Sequence, residues 1–319
     1  MDINGDGHLD ILSGSYSRPG QDMAGLFQVL AGKPGGGFSA ATPLNGDDGQ
    51  PLVIGSSTQK PVGQICTRPF AVDLDADGLL DIVAGNFGGE FHMFRGTGPG
   101  TFAARSTMLV AAKADANNGR ARRGPSFDGP TAKKASLAVP MHSDPFLIDW
   151  DGDGDHDMLS GTARGGVMIA MNTGTPQAPS FAAFRDLVAA PAKAHAMPTD
   201  DITLGESHLT GPAGSTRVWS ADVDDDGDLD LLVGDTQVVY HAGEGVTVAQ
   251  AKAAMATFSA AQQKLFVAQP MPKGDDAGSM ATYEREMAEW QKKYEALIAE
   301  RDKTVREERT GFVWMYERR

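Results

Sequence analysis

As far as about residue 250 the chain repeats one pattern: a short apolar run that closes on glycine, then a second run in which apolar and polar residues alternate. Ile11 to Tyr16 is followed by Gly25-Leu26-Phe27-Gln28-Val29-Leu30-Ala31, a polar GKPGGG turn and Phe38. DIVAGNF leads to GEFHMFRG, a Gly-Pro turn and Phe102, and DMLSGT leads to GGVMIAMNTGTP and Phe181. In the fourth copy LLVGDT leads to QVVYHAGEG. Period-two alternation broken by glycine turns predicts short strands joined locally as antiparallel meanders, so the expected class is all-β.

Beyond residue 250 the period changes. From Met280 to Arg309, Tyr283, Met287, Trp290, Tyr294, Leu297, Arg301 and Val305 fall at three-and-four spacing with charged residues between them. This predicts a long amphipathic helix. Trp290 and Tyr294 are bulky for a narrow coiled-coil seam, so one stripe is expected to pack on the repeat region. Alternation returns in GFVWMYERR, which puts Phe312, Trp314 and Tyr316 on one face and Val313 and Met315 on the other. That phrase resembles GLFQVLAG, GEFHMFRG and GGVMIAMN. The expected organisation is repeats over 1–250, a largely helical insertion over 251–309, and a strand over 310–319 that completes the last repeat.

Each apolar run is entered through an acidic loop: DINGDGHLDILSG (2–14), DLDADGLLDIVAG (73–85), DWDGDGDHDMLSG (149–161) and DVDDDGDLDLLVG (222–234). Acid or Asn stands at positions 1, 3, 5 and 9, glycine at 6 and 13, and apolar residues at 10 and 11. These places are Asp2, Asn4, Asp6 and Asp10; Asp73, Asp75, Asp77 and Asp81; Asp149, Asp151, Asp153 and Asp157; and Asp222, Asp224, Asp226 and Asp230. A hard divalent cation takes six to eight oxygens, and acids on alternate loop residues supply them while glycine takes a backbone conformation that other residues resist. Position 7, which is His8, Leu79, Asp155 or Asp228, would contribute its backbone carbonyl. A helical calcium loop ends in Glu at position 12, whereas Ser160 stands there in the third loop and a strand follows. One such loop is equally a hydrophilic Asp-Gly turn without metal, but four in the same phase, starting at residues 2, 73, 149 and 222, are not explained that way.

The four phased copies resemble the FG-GAP or VCBS repeat family, the propeller repeats also found in the head of integrin alpha chains. The resemblance implies a β-propeller of four-stranded meander blades holding up to four Ca2+ ions. It does not imply a single activity, because such repeats occur in adhesion proteins, in carbohydrate-binding proteins and in parts of some polysaccharide lyases. The expected role is an extracytoplasmic binding or scaffold module for a protein or an anionic glycan, secreted, periplasmic or at the cell surface. The alternative is a polysaccharide lyase or glycoside hydrolase on a calcium-stabilised propeller. Loops two to four follow apolar strands (RPFAV, DPFLI, RVWSA) and the first follows only Met1, so the N-terminus looks truncated and any secretion signal lost.

Composition changes this picture little. The formal charge of −14 over 319 residues is concentrated in the loops, and no basic-aromatic motif points to nucleic acid. No long apolar span predicts a membrane crossing. The one cysteine, Cys66, excludes an internal disulfide and has the neighbours of a buried thiol. The inserts 106–136 and 186–216 read as surface loops, and the Arg120, Arg122, Arg123, Lys133 and Lys134 of the first read either as a solvated loop or as contacts for an anionic glycan or acidic surface. His142, His156, His195 and His208 lack the compact spacing of zinc sites. His142 precedes a first strand and can reach a channel or cleft. Trp150 and Trp219 read as packing residues, and exposure of either would favour carbohydrate. With no nucleophile elbow, HExxH or zinc triad, the acids belong to cation loops and no catalytic set emerges.

Overall fold

The computed structural model describes residues 1–16, 25–54, 65–109, 137–191, 204–206, 209–271 and 277–318. Among them the chain is mostly antiparallel β-structure with two helices. It divides into two compact units, one formed by Met1–Pro191, Pro212–Asp235 and Val313–Arg319, the other by Ala192–Gly211 and Thr236–Phe312. Residues 110–136 of the first insert and 192–203 and 207–208 of the second, with Arg120, Arg122, Arg123, Lys133, Lys134, His195 and His208, lie outside the described residues.

The first unit contains four meander sheets. Their strands in order are Ile11–Gly14, Phe27–Leu30 and Thr42–Pro43; Arg68–Val72, Asp81–Gly85, Phe91–Phe94 and Thr107–Met108; Asp144–Ile148, Asp157–Gly161, Val167–Ala170 and Arg185–Val188; and Arg217–Ala221, Asp230–Gly234 and Val313–Tyr316. Val72 pairs with Asp81, Ile148 with Asp157 and Ala221 with Asp230. In these three sheets the acidic loop is therefore the hairpin connection itself, running from position 1 to position 8. No strand pairing among the described residues joins the fourth sheet to the first, and no closed barrel of strands is formed.

Neighbouring sheets pack face to face. Successive residues of a strand point to opposite faces, so the consecutive apolar residues after each loop serve two interfaces. Ile82 and Ala84 lie with Phe27 and Phe94 in one core cluster, whereas Val83 lies with Leu147 and Met158 in the next. Leu159 and Phe146 face the fourth sheet, meeting Leu231 and Val233. Strands buried on both sides read as continuous apolar runs, which is why DIVAG and DMLSG show no polar alternation. Edge-on aromatic pairs join the layers, with ring centroids 5.4 Å apart for Phe27 and Phe94 and 5.3 Å apart for Phe70 and Phe146.

A hydroxyl fastens each sheet to the next. Thr67, Ser143 and Thr216 stand immediately ahead of the first strands of sheets two, three and four, and all three are buried. Their oxygens accept the backbone N–H groups of Ser15, Asn86 and Thr162 at 3.0, 2.8 and 2.8 Å. Each hydroxyl lies 2.7–3.1 Å from a carbonyl of the preceding sheet, at Leu26, Glu90 and Gly166, positioned to donate to it. The position-13 glycines Gly14, Gly85 and Gly161 sit against this joint. A Cβ there would stand on the backbone carbonyl of Thr67, Ser143 or Thr216.

In the second unit, Gln237–Ala242 pairs with Val305–Thr310, so that Ala242 faces Val305. QVVYHA is therefore not the partner of LLVG, a place taken by Val313–Tyr316 through the pairs Leu231 with Tyr316 and Gly234 with Val313. Helix α1, Val248–Val267, opens with a capping box between Thr247 and Gln250. Helix α2, Ala277–Arg301, ends earlier than the expected stripe. Arg301 is buried, bonds Asp302 and Glu307 at 2.8 and 2.6 Å, and lies over the Phe258 and Tyr240 rings. It pins the turn after which Val305 enters the hairpin. Trp290 and Tyr294 stack with each other and meet Phe266 of α1 edge-on, and Trp290 Nε1 donates to the Leu265 carbonyl at 2.9 Å. The aromatic stripe thus packs helix on helix within the insertion.

The hydroxyl joints yield the first prediction. Ser143→Ala and Thr216→Val each strand a buried backbone N–H, which costs about 1–3 kcal/mol. Both should lower the urea midpoint, whereas Thr257→Val, at an exposed helix position, should change stability by less than about 0.5 kcal/mol. Equal midpoints for the three variants would remove the joints from the account of stability.

Candidate metal centre

One hydrogen-bond pattern recurs in all four loops. The position-1 carboxylate (Asp2, Asp73, Asp149, Asp222) accepts the N–H of position 5 at 3.0–3.1 Å and that of position 6 at 2.8–3.0 Å. The position-5 carboxylate (Asp6, Asp77, Asp153, Asp226) accepts the N–H of position 7, from His8, Leu79, Asp155 and Asp228, at 2.9–3.1 Å. These bonds wind the loop into a tight coil around the acids. The coil needs left-handed backbone at position 6, where Gly7, Gly78, Gly154 and Gly227 have φ of 86°, 87°, 93° and 95°. It needs it again at position 4, where Gly5 and Gly152 accept it readily but Ala76 and Asp225 are held at 52° and 60°. The spacing did not reveal this second demand, because only two of the four loops mark it with glycine.

Position 9 has a distinct place. Asp10, Asp81, Asp157 and Asp230 are buried. One oxygen of each accepts the N–H of position 2, from Ile3, Leu74, Trp150 and Val223, at 2.9–3.2 Å. The other accepts an N–H just beyond the strand that follows, from Gly32, Gly96, Asn172 and Arg318, at 2.7–3.1 Å. A carboxylate can accept about four bonds, so these contacts leave lone pairs for a cation. Aspartate in all four loops, against Asn4 at position 3, is the sequence signal for this doubled demand.

Three loops gather a cation-sized set of oxygens. Asp73, Asp75 and Asp77; Asp149, Asp151 and Asp157; and Asp222, Asp224 and Asp230 each place one carboxylate oxygen per residue within 4.8 Å of the others. Among the described residues the first loop forms no such acidic group. There the Asn4 amide donates to Asp6 at 3.1 Å. Crowding is visible in the electrostatics. Burial first, then neighbouring acids, pushes the Asp155, Asp224 and Asp228 carboxyls above the usual range. Burial also raises Asp81 and Asp157, partly offset by their backbone donors, while the Gly7 N–H leads in lowering Asp2.

Buried oxygens Oδ1 of Asp75, Asp155 and Asp228 have no hydrogen-bond partner. Oxygen-only donors, repelling acids and unmatched buried oxygens together fit a hard divalent cation. Asp155 was expected to contribute only its carbonyl, yet its carboxylate is itself buried beside this set. In the second loop the Arg95 guanidinium reaches Asp75 and Asp77 and supplies positive charge directly.

The other residues singled out in the sequence lie elsewhere. Trp150 is partly buried beneath the Arg318 guanidinium, 5.2 Å from the ring centroid. Trp219 is 59% exposed. Cys66 is a free, half-buried thiol raised by burial, with φ of 57°.

Positions 3 and 9 should separate in experiment. Asp157→Ala removes the acceptor for two buried N–H groups and should destabilise the metal-stripped protein by roughly 2–4 kcal/mol. Asp151→Ala should leave the stripped protein within about 0.5 kcal/mol of the parent and act only when cation is present. Thermal melts of both variants with and without chelator make the comparison, and equal losses in the stripped protein would contradict it.

Comparisons with family models, with curated proteins and with solved structures found no match for this chain, so its reading stands on the four loops and their geometry.

Proposed function

We propose that this chain is a calcium-binding repeat protein whose four sheets are blades of the propeller type, and that it acts outside the cytoplasm as a binding or scaffold module. The observation that carries this reading is the fourfold hydrogen-bond pattern that coils each loop around its acids. Calcium suits the oxygen-only set better than zinc, which favours nitrogen and sulfur, and a flexible set of more than six oxygens suits it better than magnesium. The residues that would hold it are those at positions 1, 3, 5 and 9, with the position-7 carbonyl. Bound, the ion would neutralise acids that now repel one another and tie the hairpin connection to both flanking strands. Apart from the buried Asp75, positions 1, 3 and 5 are exposed or partly exposed, which suits the weak affinities of extracellular calcium modules.

A binding role follows from what the loops leave over. Their carboxylates are committed to backbone donors and cation. No helix among the described residues is long and apolar enough to cross a membrane. A protein or glycan partner is the reading this surface supports, with lyase or hydrolase activity as the competing outcome.

Calorimetry on metal-stripped protein should show calcium binding to the second, third and fourth loops, with the first weakest. Because calcium binds the folded loop better than the open chain, it should raise the melting temperature and a chelator should reverse the rise. Equal affinity for zinc would sink the calcium assignment. Release of unsaturated oligosaccharides from a polyuronate by the purified protein would replace the binding module with a lyase.

A further inference from the structure

The far ends of the first strands, remote from the acidic loops, carry the opposite chemistry. Arg68, Asp144 and Arg217 are the opening residues of the first strands of sheets two, three and four. Each directly follows a clamp hydroxyl, so the joints that stack the sheets also bring these three side by side. Arg217 Nε lies 3.3 Å from Asp144 Oδ2. Among the described residues Arg68 donates one long 3.5 Å bond, from Nη1 to the His142 carbonyl, and no carboxylate lies within ion-pair distance of it. Two guanidiniums thus stand near one carboxylate, which is paired with Arg217 and acts on Arg68 only at longer range.

Two further groups mark this as a place for a ligand. The His142 ring packs on Phe87 with centroids 4.7 Å apart, and both of its nitrogens are buried without a hydrogen-bond partner. Burial, with Arg68 and Arg217 nearby, holds that imidazole below its ordinary pKa, so it is a neutral donor and acceptor. Trp219 lies two residues beyond Arg217, on the same face of its strand. One part of its ring rests on Phe146, 5.2 Å between centroids, and 59% of the residue is exposed.

We propose that the heads of these strands bind a carboxylated sugar, its carboxylate taken by Arg68 and Arg217 and the C–H face of its ring resting on the Trp219 indole. A guanidinium fork matches a planar carboxylate in geometry as well as charge. The one-charge excess of the cluster accommodates one more anion. An exposed indole beside a charged group fits a ligand that is apolar on one face and polar on its rim. His142 supplies ring nitrogens to the hydroxyls or to the carboxylate. Asp144 is the internal competitor, holding Arg217 until the ligand arrives. This inference rests on the binding-module reading and narrows it to a ligand class and a place.

The test is isothermal titration of calcium-loaded protein with glucuronate, glucose and acetate, each variant's fold being checked by thermal melting. Glucuronate should bind at least tenfold more tightly than either control. Arg68→Gln, which among the described residues removes one long backbone bond and no ion pair, should weaken glucuronate at least tenfold with little change in the melting temperature. Trp219→Ala should weaken glucuronate several-fold and leave acetate unchanged, and Asp144→Asn should tighten glucuronate several-fold. Opposite signs for Arg68→Gln and Asp144→Asn are not produced by a purely structural role. Glucuronate binding that survives both Arg68→Gln and Trp219→Ala, weakening by Asp144→Asn, or no heat with either parent or Asp144→Asn overturns the site. A glycan or protein found on an array that still binds Arg68→Gln would keep the module reading while discarding this location.

Discussion

The structure depends on four buried aspartates, each of which accepts two backbone N–H groups. Asp10, Asp81, Asp157 and Asp230 sit where a loop becomes a strand. One oxygen fixes the start of the loop and the other fixes the residue just past the next strand. A single side chain thus sets the size of the loop and the pairing of two strands. Burying a carboxylate this way is tolerable because both oxygens are bonded, and a cation at the loop mouth would reduce the cost further. In the third and fourth loops the group that sets the sheet geometry therefore also lends its free lone pairs to the oxygen set that could hold a cation.

That constraint explains the choice of partner in the fourth sheet. In the first three sheets the second donor lies two residues past the third strand's counterpart: Gly32 after Leu30, Gly96 after Phe94 and Asn172 after Ala170. Asp230 takes its second donor from Arg318, two residues past Tyr316. The chain leaves the sheet after Asp235, forms the hairpin and helix pair, and returns with a strand of the right length and offset. QVVYHA has the right period too, but it finds its partner in Val305–Thr310.

How much was legible in the sequence follows from the same contrast. Loops and the strands they enter were readable because acid spacing, glycine and a two-residue period are local signals. The fourth pairing was not, because two segments of the same period competed and the deciding bond spans 88 residues. The helix end was missed because Arg301 and Val305 fit the helical stripe, while the turn is set by ion pairs to Asp302 and Glu307. The joints had a faint signature: Thr67, Ser143 and Thr216 each stand six residues ahead of a loop's first aspartate. One small hydroxyl carries no meaning until the loops are laid in register. Left-handed backbone at Ala76 had no signal of residue type, and at Asp225 only the weak tolerance of aspartate for that conformation.

The placement of function then follows from packing. The second and third sheets are covered on both faces, so their strand interiors are mostly apolar, with His92 and Ser160 among the few buried polar side chains. What remains exposed to a ligand are the two ends of the strands. At one end every connection is an acidic coil, and its carboxylates attract cations. At the other, the residue after each clamp hydroxyl is free to vary without disturbing the joint, and it is there that Arg68, Asp144 and Arg217 appear. On the proposed calcium reading, ions in the loops at one end would stiffen the hairpins, and the strands would then hold the guanidiniums and Trp219 at fixed spacing at the other. If both proposals hold, removing the ions would loosen the proposed guanidinium site without touching it, and the metal's contribution would lie in the scaffold rather than in contact with a ligand.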